Sequence, residues 1–178
     1  TEMKTSGDFD FHYEHKGLLM AYKHEKAGEQ EWEVGQKAIK LGLKVENLNA
    51  KEVEILEPNA NLNIKGAVYY HSDAHMTPSI FMKNMLSYLQ AAGVEILSEE
   101  EVKDIVISDK TITKLITNKQ EIKADEFVMA AGSWSPIISK KLGVKMLLQP
   151  GKGYRINVAQ ETNITIPAVL LEAKVAVT

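Results

Sequence analysis

The spacing of apolar and polar positions predicts two helices early in the chain. Residues 24–43 show helical periodicity, with Trp32, Ile39 and Leu43 as apolar positions among many charged ones. A shorter helix is predicted over residues 50–56, where the chain then meets a proline. Both segments carry more charge than apolar surface, which indicates that each has one solvated face.

A third helix is predicted over residues 78–92, and it has the most regular apolar face. Thr77 and Pro78 are typical of a helix start, and Gly93 is typical of a helix end. The apolar stripe, which we expect to be the buried side, consists of Ile80, Met85, Leu89 and Ala92.

Strand-like patterns fill most of the remaining chain. Alternation over residues 9–13 and an apolar run over residues 17–22 predict a β-hairpin. Further strands are predicted over residues 67–70, 94–97, 102–108, 111–117, 121–130, 145–149, 154–158, 169–171 and from residue 175 onward. This mixture predicts an α/β or α+β fold that contains a large, largely antiparallel sheet.

The stretch from residue 126 to residue 143 combines a strand, a turn of small residues and a helix. Gly132 follows an apolar run, and Ser133 or Ser135 can cap the next helix with Pro136 in its first turn. Gly143 is expected to end that helix. Such a turn can seat a phosphate, although many α/β proteins contain the same pattern and bind nothing there.

Composition excludes several classes of protein. The chain has 178 residues, 44% hydrophobic and 25% charged, which is ordinary for a globular domain. A net charge of -3 with mixed signs gives no basic surface for nucleic acid. The sequence has no cysteine, and no apolar run approaches the roughly 20 residues of a membrane span. We expect a cytoplasmic protein, with peripheral attachment to the inner membrane as the alternative.

Several sequence blocks together resemble one enzyme family. They are FDFHYEHKGLLMAYK, AKEVEILEP, GAVYYHSDAHMTP, AAGVEILSEEEVKDI, AAGSWSP and LGVKMLLQPGKGYRINV, in that order along the chain. In this order they resemble the FAD-dependent oxidoreductases of the D-amino-acid oxidase superfamily, and most of all the bacterial D-amino-acid dehydrogenases and glycine oxidase-like enzymes.

The resemblance implies an internal fragment of a longer enzyme. The family's GxGxxG turn, which binds the FAD pyrophosphate, occurs nowhere in this sequence. Residues 1–92 and 145–178 would belong to a substrate domain, and residues 93–144 to part of a FAD-binding domain that lacks its GxGxxG half. We expect the fragment to be inactive alone, with the missing amino- and carboxyl-terminal parts of the enzyme as its partners.

The resemblance also implies which residues lie near the cofactor. The main chain at Val102 would lie beside the adenine end of FAD. Ala130, Ala131 and Gly132 would pass close to the cofactor, with Trp134 nearby. Small residues at these positions would admit the cofactor while main-chain groups bind it. The alternative is an ordinary sheet edge with a buried tryptophan.

Two further residues are candidates for the substrate pocket. Similarity to the dehydrogenases implies that Tyr154 lines the amino-acid pocket and that His75 lies at its edge. The QPGKGY segment before the tyrosine is not a Walker loop, since no Ser or Thr follows the lysine, and it is predicted to be a β-turn that uses glycine for its backbone freedom. His71, Asp73 and His75 alternate, but a loop there would separate them, so no metal site is predicted.

The family's reaction implies the function. An amino acid loses a hydride from its α-carbon to FAD, and the imino acid is hydrolysed to a 2-oxo acid and ammonia. No catalytic side chain is predicted in this segment, because hydride transfer needs no side-chain base. The alternatives are a FAD-dependent 2-hydroxy-acid dehydrogenase of the same superfamily and a non-catalytic module that binds a small molecule or a protein. The electron acceptor, oxygen or quinone, stays open.

Overall fold

A computed structural model describes residues 10–178 and divides them into two compact units. The first unit contains the described residues up to Val94 together with Val158–Thr178, and the second is Glu95–Asn157. The second unit therefore extends beyond the boundary predicted at residue 144. Whether the two units are a substrate domain and part of a flavin domain stays a prediction.

The described chain contains α-helices and β-strands, which confirms the predicted mixed fold class. A 3₁₀ turn, Gly132–Trp134, precedes the last helix. In chain order the elements are β1 (Leu18–Tyr22), α1 (Glu25–Lys40), β2 (Val45–Asn49), α2 (Ala50–Leu56), β3 (Gly66–Tyr70), α3 (Pro78–Ala91), β4 (Val102–Ser108), β5 (Thr111–Thr117), β6 (Glu121–Ile122), α4 (Ser135–Lys141), β7 (Ala168–Leu170) and β8 (Val175–Val177).

The first unit is built on a five-stranded sheet in the order β2-β3-β1-β7-β8. β1 pairs with β3 in antiparallel fashion and with β7 in parallel fashion, and the other two pairings are antiparallel. The sheet is thus largely antiparallel, as the sequence predicts. β7 follows β3 by almost a hundred residues. The sheet therefore combines strands from both ends of the unit's sequence.

The hairpin predicted over residues 9–13 and 17–22 is wrong. Residue 9 lies outside the described residues, and residues 10–13 form no strand. Gly17 turns the chain with φ +73°, and its N–H donates to the carbonyl of Asp73 at 3.0 Å. Glu14 forms an isolated antiparallel bridge with His75. The segment before β1 therefore pairs with the loop after β3 instead of folding back on β1.

The core of the first unit lies on the sheet face covered by α2. Its buried members are Leu19, Ala21, Val53, Ala67, Ile166 and Ala168. Val53 comes from α2, and most of the others from strands, so the core joins a helix layer to a sheet layer. Ile166 belongs to the segment just before β7, which is how the end of the chain contributes to this core.

The short helix α2 forms as predicted, and a capping box fixes its start. The Asn49 side chain accepts hydrogen bonds from the backbone N–H groups of Lys51 and Glu52, at 2.9 and 3.2 Å. The Glu52 carboxylate accepts in return from the Asn49 N–H at 2.7 Å. This reciprocal pair satisfies N–H groups that a helix start leaves without partners, and so stabilises a helix of only seven residues.

Helix α1 forms as predicted but buries a different face. Its buried residues are Gly28 and Gly35, which lie two turns apart. Ile39 and Leu43, predicted as apolar contacts, are 43% and 45% exposed. A Cβ at position 28 would lie 2.5 Å from the Tyr22 ring, so glycine is what allows this close approach. The buried face of α1 is formed by glycines, which have no side chain. A search for apolar residues therefore does not find this face.

Helix α3 also forms, but its predicted stripe is only partly covered. Ile80, Met85 and Leu89 are half-buried and Ala92 is exposed. No residue of this helix is fully buried by the described part of the chain. Among residues 10–178, no helix has both the length and the apolar character needed to cross a membrane.

The second unit contains a three-stranded antiparallel sheet, β4-β5-β6, and helix α4. The strands predicted over residues 94–97, 126–130, 145–149 and 154–158 are wrong, because these residues pair with no neighbour among residues 10–178. Val128 and Leu147 are 90% and 92% exposed. A strand needs a neighbouring strand for its backbone hydrogen bonds, and an apolar pattern alone does not supply one.

Candidate functional site

The turn before α4 is the centre of the predicted cofactor site. Gly132 adopts φ +54°, a left-handed conformation that favours glycine. A Cβ placed on Gly132 would meet no atom within 4 Å, so the main chain faces open space there. Ala130 is exposed, Ala131 is half-buried, and Trp134 is 68% exposed. The expected alternative of a buried Trp134 is therefore wrong.

Backbone geometry shapes this turn. The N–H of Trp134 donates to the carbonyl of Ala131 at 3.0 Å, which closes the 3₁₀ turn. Ser135 and Ser139 are the buried residues of α4, and the Ser139 hydroxyl donates to the carbonyl of Pro136 at 3.2 Å. The polar face of a very short helix is thus the one turned inward, and its apolar residue Ile137 is 64% exposed.

A lysine fixes α4 against the start of β4. The Lys141 ammonium donates to the carbonyl of Lys103 and to the Asp104 carboxylate, the latter at 3.2 Å. The pKa of Asp104 lies below its usual value because the backbone N–H of Ile105 and the Lys141 ammonium both stabilise the carboxylate. These contacts hold the helix that follows Gly132 beside the strand that begins at Val102.

Val102 lies at the first position of β4, opposite Thr117 of β5. Its side chain is half-buried, and Thr117 is 8% exposed. The Thr117 hydroxyl lies 2.7 Å from the Glu100 carboxylate and accepts from the N–H of Gln120 at 2.9 Å. The pairing of β4 with β5 shifts in register between Val102 and Asp104, so Val102 lies next to an irregularity of the strand.

The predicted cofactor residues can be tested for their fit to a nucleotide cofactor. Ala130 and Gly132 are small and exposed, and open space at Gly132 leaves room for a group to lie against the main chain. The indole of Trp134 offers an exposed flat surface beside them. These features fit one edge of a cofactor such as FAD. They do not include a phosphate-binding GxGxxG turn, which the sequence lacks.

Tyr154, predicted to line the substrate pocket, lies in the exposed segment after residue 148. Tyr154 is 88% exposed, and the Lys152 ammonium lies 5.4 Å from the centroid of its ring. Gly151 and Gly153 do not adopt positive φ, and a Cβ on either would meet no atom within 4 Å. Backbone freedom therefore does not explain these two glycines, contrary to the turn expected from the sequence.

His75, the second predicted substrate residue, belongs to the first unit. Its Nε2 lies 3.5 Å from the Glu14 carboxylate, which also pairs with the Lys16 ammonium at 2.7 Å. Two backbone hydrogen bonds between His75 and Glu14, of 2.9 and 3.0 Å, join the loop after β3 to the segment before β1. The position of His75 is thus fixed by its pairing with the segment before β1.

The structure separates the histidines considered as metal ligands. His71 pairs with the Glu46 carboxylate at 3.2 Å, whereas His75 pairs with Glu14. Within residues 10–178, no group of three or more His, Cys, Asp or Glu side chains could hold a metal ion. The alternation of His71, Asp73 and His75 in the sequence therefore does not produce a ligand set.

One residue of interest was missed from the sequence. The sequence suggests Lys152 only as part of a phosphate-binding loop, yet its ammonium lies over the Tyr154 ring, 5.4 Å from the centroid. No sequence pattern predicts this contact, because residues 152–154 form no strand in which alternate side chains would share a side.

Comparison with known proteins bears on the whole chain. The family model described as "DAO: FAD dependent oxidoreductase" matches residues 1–175. A D-amino acid dehydrogenase from Helicobacter pylori (strain J99 / ATCC 700824) is 36% identical over 149 residues, which are 83% of this chain and 35% of the relative. This chain therefore spans about a third of the length of that relative.

Solved structures are similar in fold. L-proline dehydrogenase from P. horikoshii superimposes with a TM-score of 0.77 at 18% identity, over 96% of this chain and 47% of that one. Glycine oxidase from Bacillus cereus ATCC 14579 superimposes with a TM-score of 0.69 at 27% identity, over 78% of this chain and 38% of that one. The similarity to L-proline dehydrogenase concerns the fold alone, whereas the similarity to glycine oxidase extends to the sequence.

Proposed function

Because this chain belongs to the FAD-dependent oxidoreductases of the D-amino-acid oxidase family, we propose that it is part of a flavoenzyme that oxidises a D-amino acid or a related amine. The observation that carries the proposal is the 36% identity over 149 residues to a D-amino acid dehydrogenase. That match covers 83% of the chain, so it is not confined to one short motif.

The proposed reaction is a two-electron oxidation at carbon. When bound, FAD supplies the acceptor for the hydride that leaves the α-carbon. The amino group loses a proton as the carbon–nitrogen double bond forms, and water then releases the 2-oxo acid and ammonia. The protein's part is to orient the α C–H bond and to exclude competing reactions. No side chain of this segment is assigned the role of base.

We assign the predicted residues to two groups. The main chain at Val102 and the residues Ala130, Ala131 and Gly132 would contact the cofactor, with Trp134 beside them. Support comes from the exposure of the turn and from the open space at Gly132. Tyr154 would contact the substrate, which agrees with its 88% exposure in the described chain. His75 is kept as a second substrate candidate.

The proposal is tested first by the visible spectrum of the protein from the complete reading frame. Mixed D-amino acids are added without oxygen, and mixed L-amino acids serve as the matched control. Bleaching of a flavin spectrum by the D-amino acids alone is the expected result. Bleaching only by 2-hydroxy acids would replace the proposal with the hydroxy-acid alternative, and a protein without flavin would contradict both.

The cofactor assignment is tested by replacing Trp134. We expect Trp134→Ala in the complete protein to weaken FAD binding about two- to twelvefold, since ring stacking contributes about 0.5–1.5 kcal/mol. Ile137→Ala is the matched control, because Ile137 is similarly exposed at 64% and lies one helical turn away. Equal FAD affinity in the two variants would remove Trp134 from the site.

The 178-residue chain by itself is not expected to retain FAD, since it lacks the GxGxxG turn. Adding FAD to this chain should give no tight quenching of flavin fluorescence. Stoichiometric quenching at micromolar concentration would show that the residues described here are sufficient for binding. The same titration with the complete protein freed of its flavin is the positive control.

A further inference from the structure

The end of α1 carries exposed apolar surface next to lysines. Leu41, the residue that follows the helix, is 83% exposed in the described chain, and Leu43 is 45% exposed. Lys37 and Lys40 are exposed as well. Residues four apart on a helix are neighbours, so Lys37 and Leu41 lie on one face, with Lys40 beside them.

The charge of this segment is positive. Residues 36–44 contain three lysines and no acid, although the whole chain has a net charge of -3. The third of them, Lys44, pairs with Glu46 at 3.4 Å. Among residues 10–178, neither Lys37 nor Lys40 forms a salt bridge. Two exposed ammonium groups are therefore available to an anionic partner.

The N–H groups of the turn that ends α1 all have partners. The N–H of Leu41 donates to the Ala38 carbonyl at 3.0 Å, and the N–H of Leu43 donates to the same carbonyl at 3.1 Å. Between them Gly42, with φ +89°, donates to the Ile39 carbonyl at 2.9 Å. The turn can therefore approach an apolar phase without leaving one of these N–H groups unpaired.

A second turn of the same sequence shows that the helix end alone does not explain Leu41. Residues 40–44 are KLGLK, and residues 141–145, at the end of α4, are KLGVK. Gly143 adopts φ +70° in the second turn, and lysines are favoured at both helix ends by the helix dipole. Leu142 is nevertheless half-buried, whereas Leu41 is 83% exposed. Capping accounts for the glycine and the lysines but not for this exposed leucine.

We propose that the end of α1 is a contact site for an anionic lipid bilayer. Leu41 enters the apolar edge of the bilayer with Leu43 beside it, and Lys37 and Lys40 lie at the level of the lipid phosphates. Such a site fits an anionic bilayer because apolar burial and attraction to anionic lipids add. Glu33, one turn closer to the helix start than Lys37, limits the site to the helix end.

Charge, and not exposure alone, selects this site. Ile55 of α2 is 79% exposed, nearly as much as Leu41. Its neighbours in the helix include Glu52 and Glu54, which an anionic surface would repel. Ile55 is therefore a matched control, since it is a similarly exposed aliphatic residue of the same unit with the opposite charge around it.

The experiment uses the complete flavin-containing protein and vesicles made either of phosphatidylglycerol and phosphatidylcholine in equal parts or of phosphatidylcholine alone. Co-sedimentation measures the binding constant, and the wild type should bind only the vesicles that contain phosphatidylglycerol. Leu41→Ser should weaken this binding about tenfold, since burial of a leucine side chain contributes at least about 1.5 kcal/mol. Ile55→Ser should leave it unchanged.

The lysines are tested together. The double variant Lys37→Gln/Lys40→Gln should weaken binding about 30-fold, because each lysine near an anionic surface contributes about 1 kcal/mol. The double variant Lys23→Gln/Lys26→Gln changes the net charge equally near the start of α1. Lys26 lies roughly 20 Å from Lys40 along the helix, which exceeds a Debye length of about 8 Å, so this control should have a much smaller effect.

The outcomes are distinct from those for the proposed function. A wild type that does not bind the mixed vesicles, or equal effects of Leu41→Ser and Ile55→Ser, would overturn the lipid contact. If Leu41→Ser instead lowers the melting temperature or changes the oligomeric state while vesicle binding persists, another part of the enzyme or a second copy covers the turn, and the lipid contact is wrong. The oxidation reaction is tested separately by the flavin spectrum and stands or falls without this site.

Discussion

The buried carboxylate of Glu57 accepts a hydrogen bond from the backbone N–H of Thr165 at 2.9 Å, across 108 residues of sequence. It also accepts from the Thr165 hydroxyl and from the N–H of Ile166. Glu57 is only 2% exposed, so these donors replace the water that the carboxylate has lost. The contact ties the end of α2 to the segment that leads into β7.

Glu57→Gln should destabilise the first unit by about 2–3 kcal/mol. The amide would replace one acceptor oxygen by an NH₂ group that faces the N–H donors, leaving at least one buried group without a partner. Denaturant unfolding followed by circular dichroism measures this loss. Glu54→Gln, an exposed position on the same helix, is the matched control and should change the free energy of unfolding by less than about 0.5 kcal/mol. Similar losses in both variants would contradict the role of Glu57.

Gly28→Ala should destabilise the protein although alanine favours helices. The new Cβ would lie 2.5 Å from Cε2 and 2.6 Å from Cζ of the Tyr22 ring, which is only 8% exposed. Overpacking of about 1–3 kcal/mol would outweigh the gain of about 1 kcal/mol in helix propensity. We expect a net loss of up to about 2 kcal/mol in denaturant unfolding.

Two controls test this explanation of Gly28. At Gly35 the nearest side-chain atoms would lie at 3.2 Å, so Gly35→Ala should have a smaller effect. In a Tyr22→Ala background the ring is gone, and Gly28→Ala should then be neutral or stabilising by up to about 1 kcal/mol. A loss that persists in that background would show that the Tyr22 ring is not the cause.

These glycines show which parts of the fold the sequence does and does not predict. Helical periodicity located α1, α2 and α3, because a helix is specified by neighbouring residues within a few turns. The buried face of α1 was missed because it is formed by Gly28 and Gly35, which have no apolar side chain to reveal a pattern. The supposed hairpin before Tyr22 failed for another reason, since the partners of β1 lie far along the sequence.

For the candidate site, the sequence predicted where the residues lie along the chain but not which of them contact each other. Gly132 and Pro136 mark the turn and helix locally, and both appear where the sequence places them. The Lys141 contact with Asp104 spans 37 residues and leaves no local pattern. The apolar run after Glu126 resembles a strand, but pairing depends on a neighbour that local periodicity cannot identify. The roles of the site residues stay predictions.

The stability of the first unit should decrease at alkaline pH because of Tyr70. Its hydroxyl donates to the Glu31 carboxylate at 2.7 Å, and burial, followed by this carboxylate, raises the pKa of Tyr70. A raised pKa in the folded state means that the stabilisation is complete below the unfolded pKa of about 10 and is lost as the pH rises beyond it. Unfolding measured between about pH 7 and 11 should show this decrease.

Tyr70→Phe is the variant that tests the alkaline prediction. It removes the hydroxyl and should lower the free energy of unfolding by about 1 kcal/mol at neutral pH. The difference between wild type and variant should shrink as the pH rises above about 10. The ultraviolet absorbance of tyrosinate is recorded against pH for both proteins. A tyrosine ionisation at high pH that occurs in the wild type and is missing in Tyr70→Phe belongs to Tyr70. A pH-independent difference would show that the hydrogen bond to Glu31 is not responsible.

In the second unit, Asp104 gives a prediction at acid pH. The pKa of Asp104 is lowered by the N–H of Ile105 and by the ammonium of Lys141. A lowered pKa in the folded state means that the stabilisation is present above the unfolded pKa of about 3.9 and is lost as the pH falls through the folded pKa. Lys141→Met should therefore raise the pKa of Asp104 only part of the way to its ordinary value, because the contribution of Ile105 remains.

Carboxyl titration by NMR measures this shift. Lys140→Met, at the neighbouring exposed lysine, is the control and should leave the pKa of Asp104 unaltered. An unchanged pKa of Asp104 in Lys141→Met would mean that the lysine acts on α4 through its bond to the Lys103 carbonyl and not through charge.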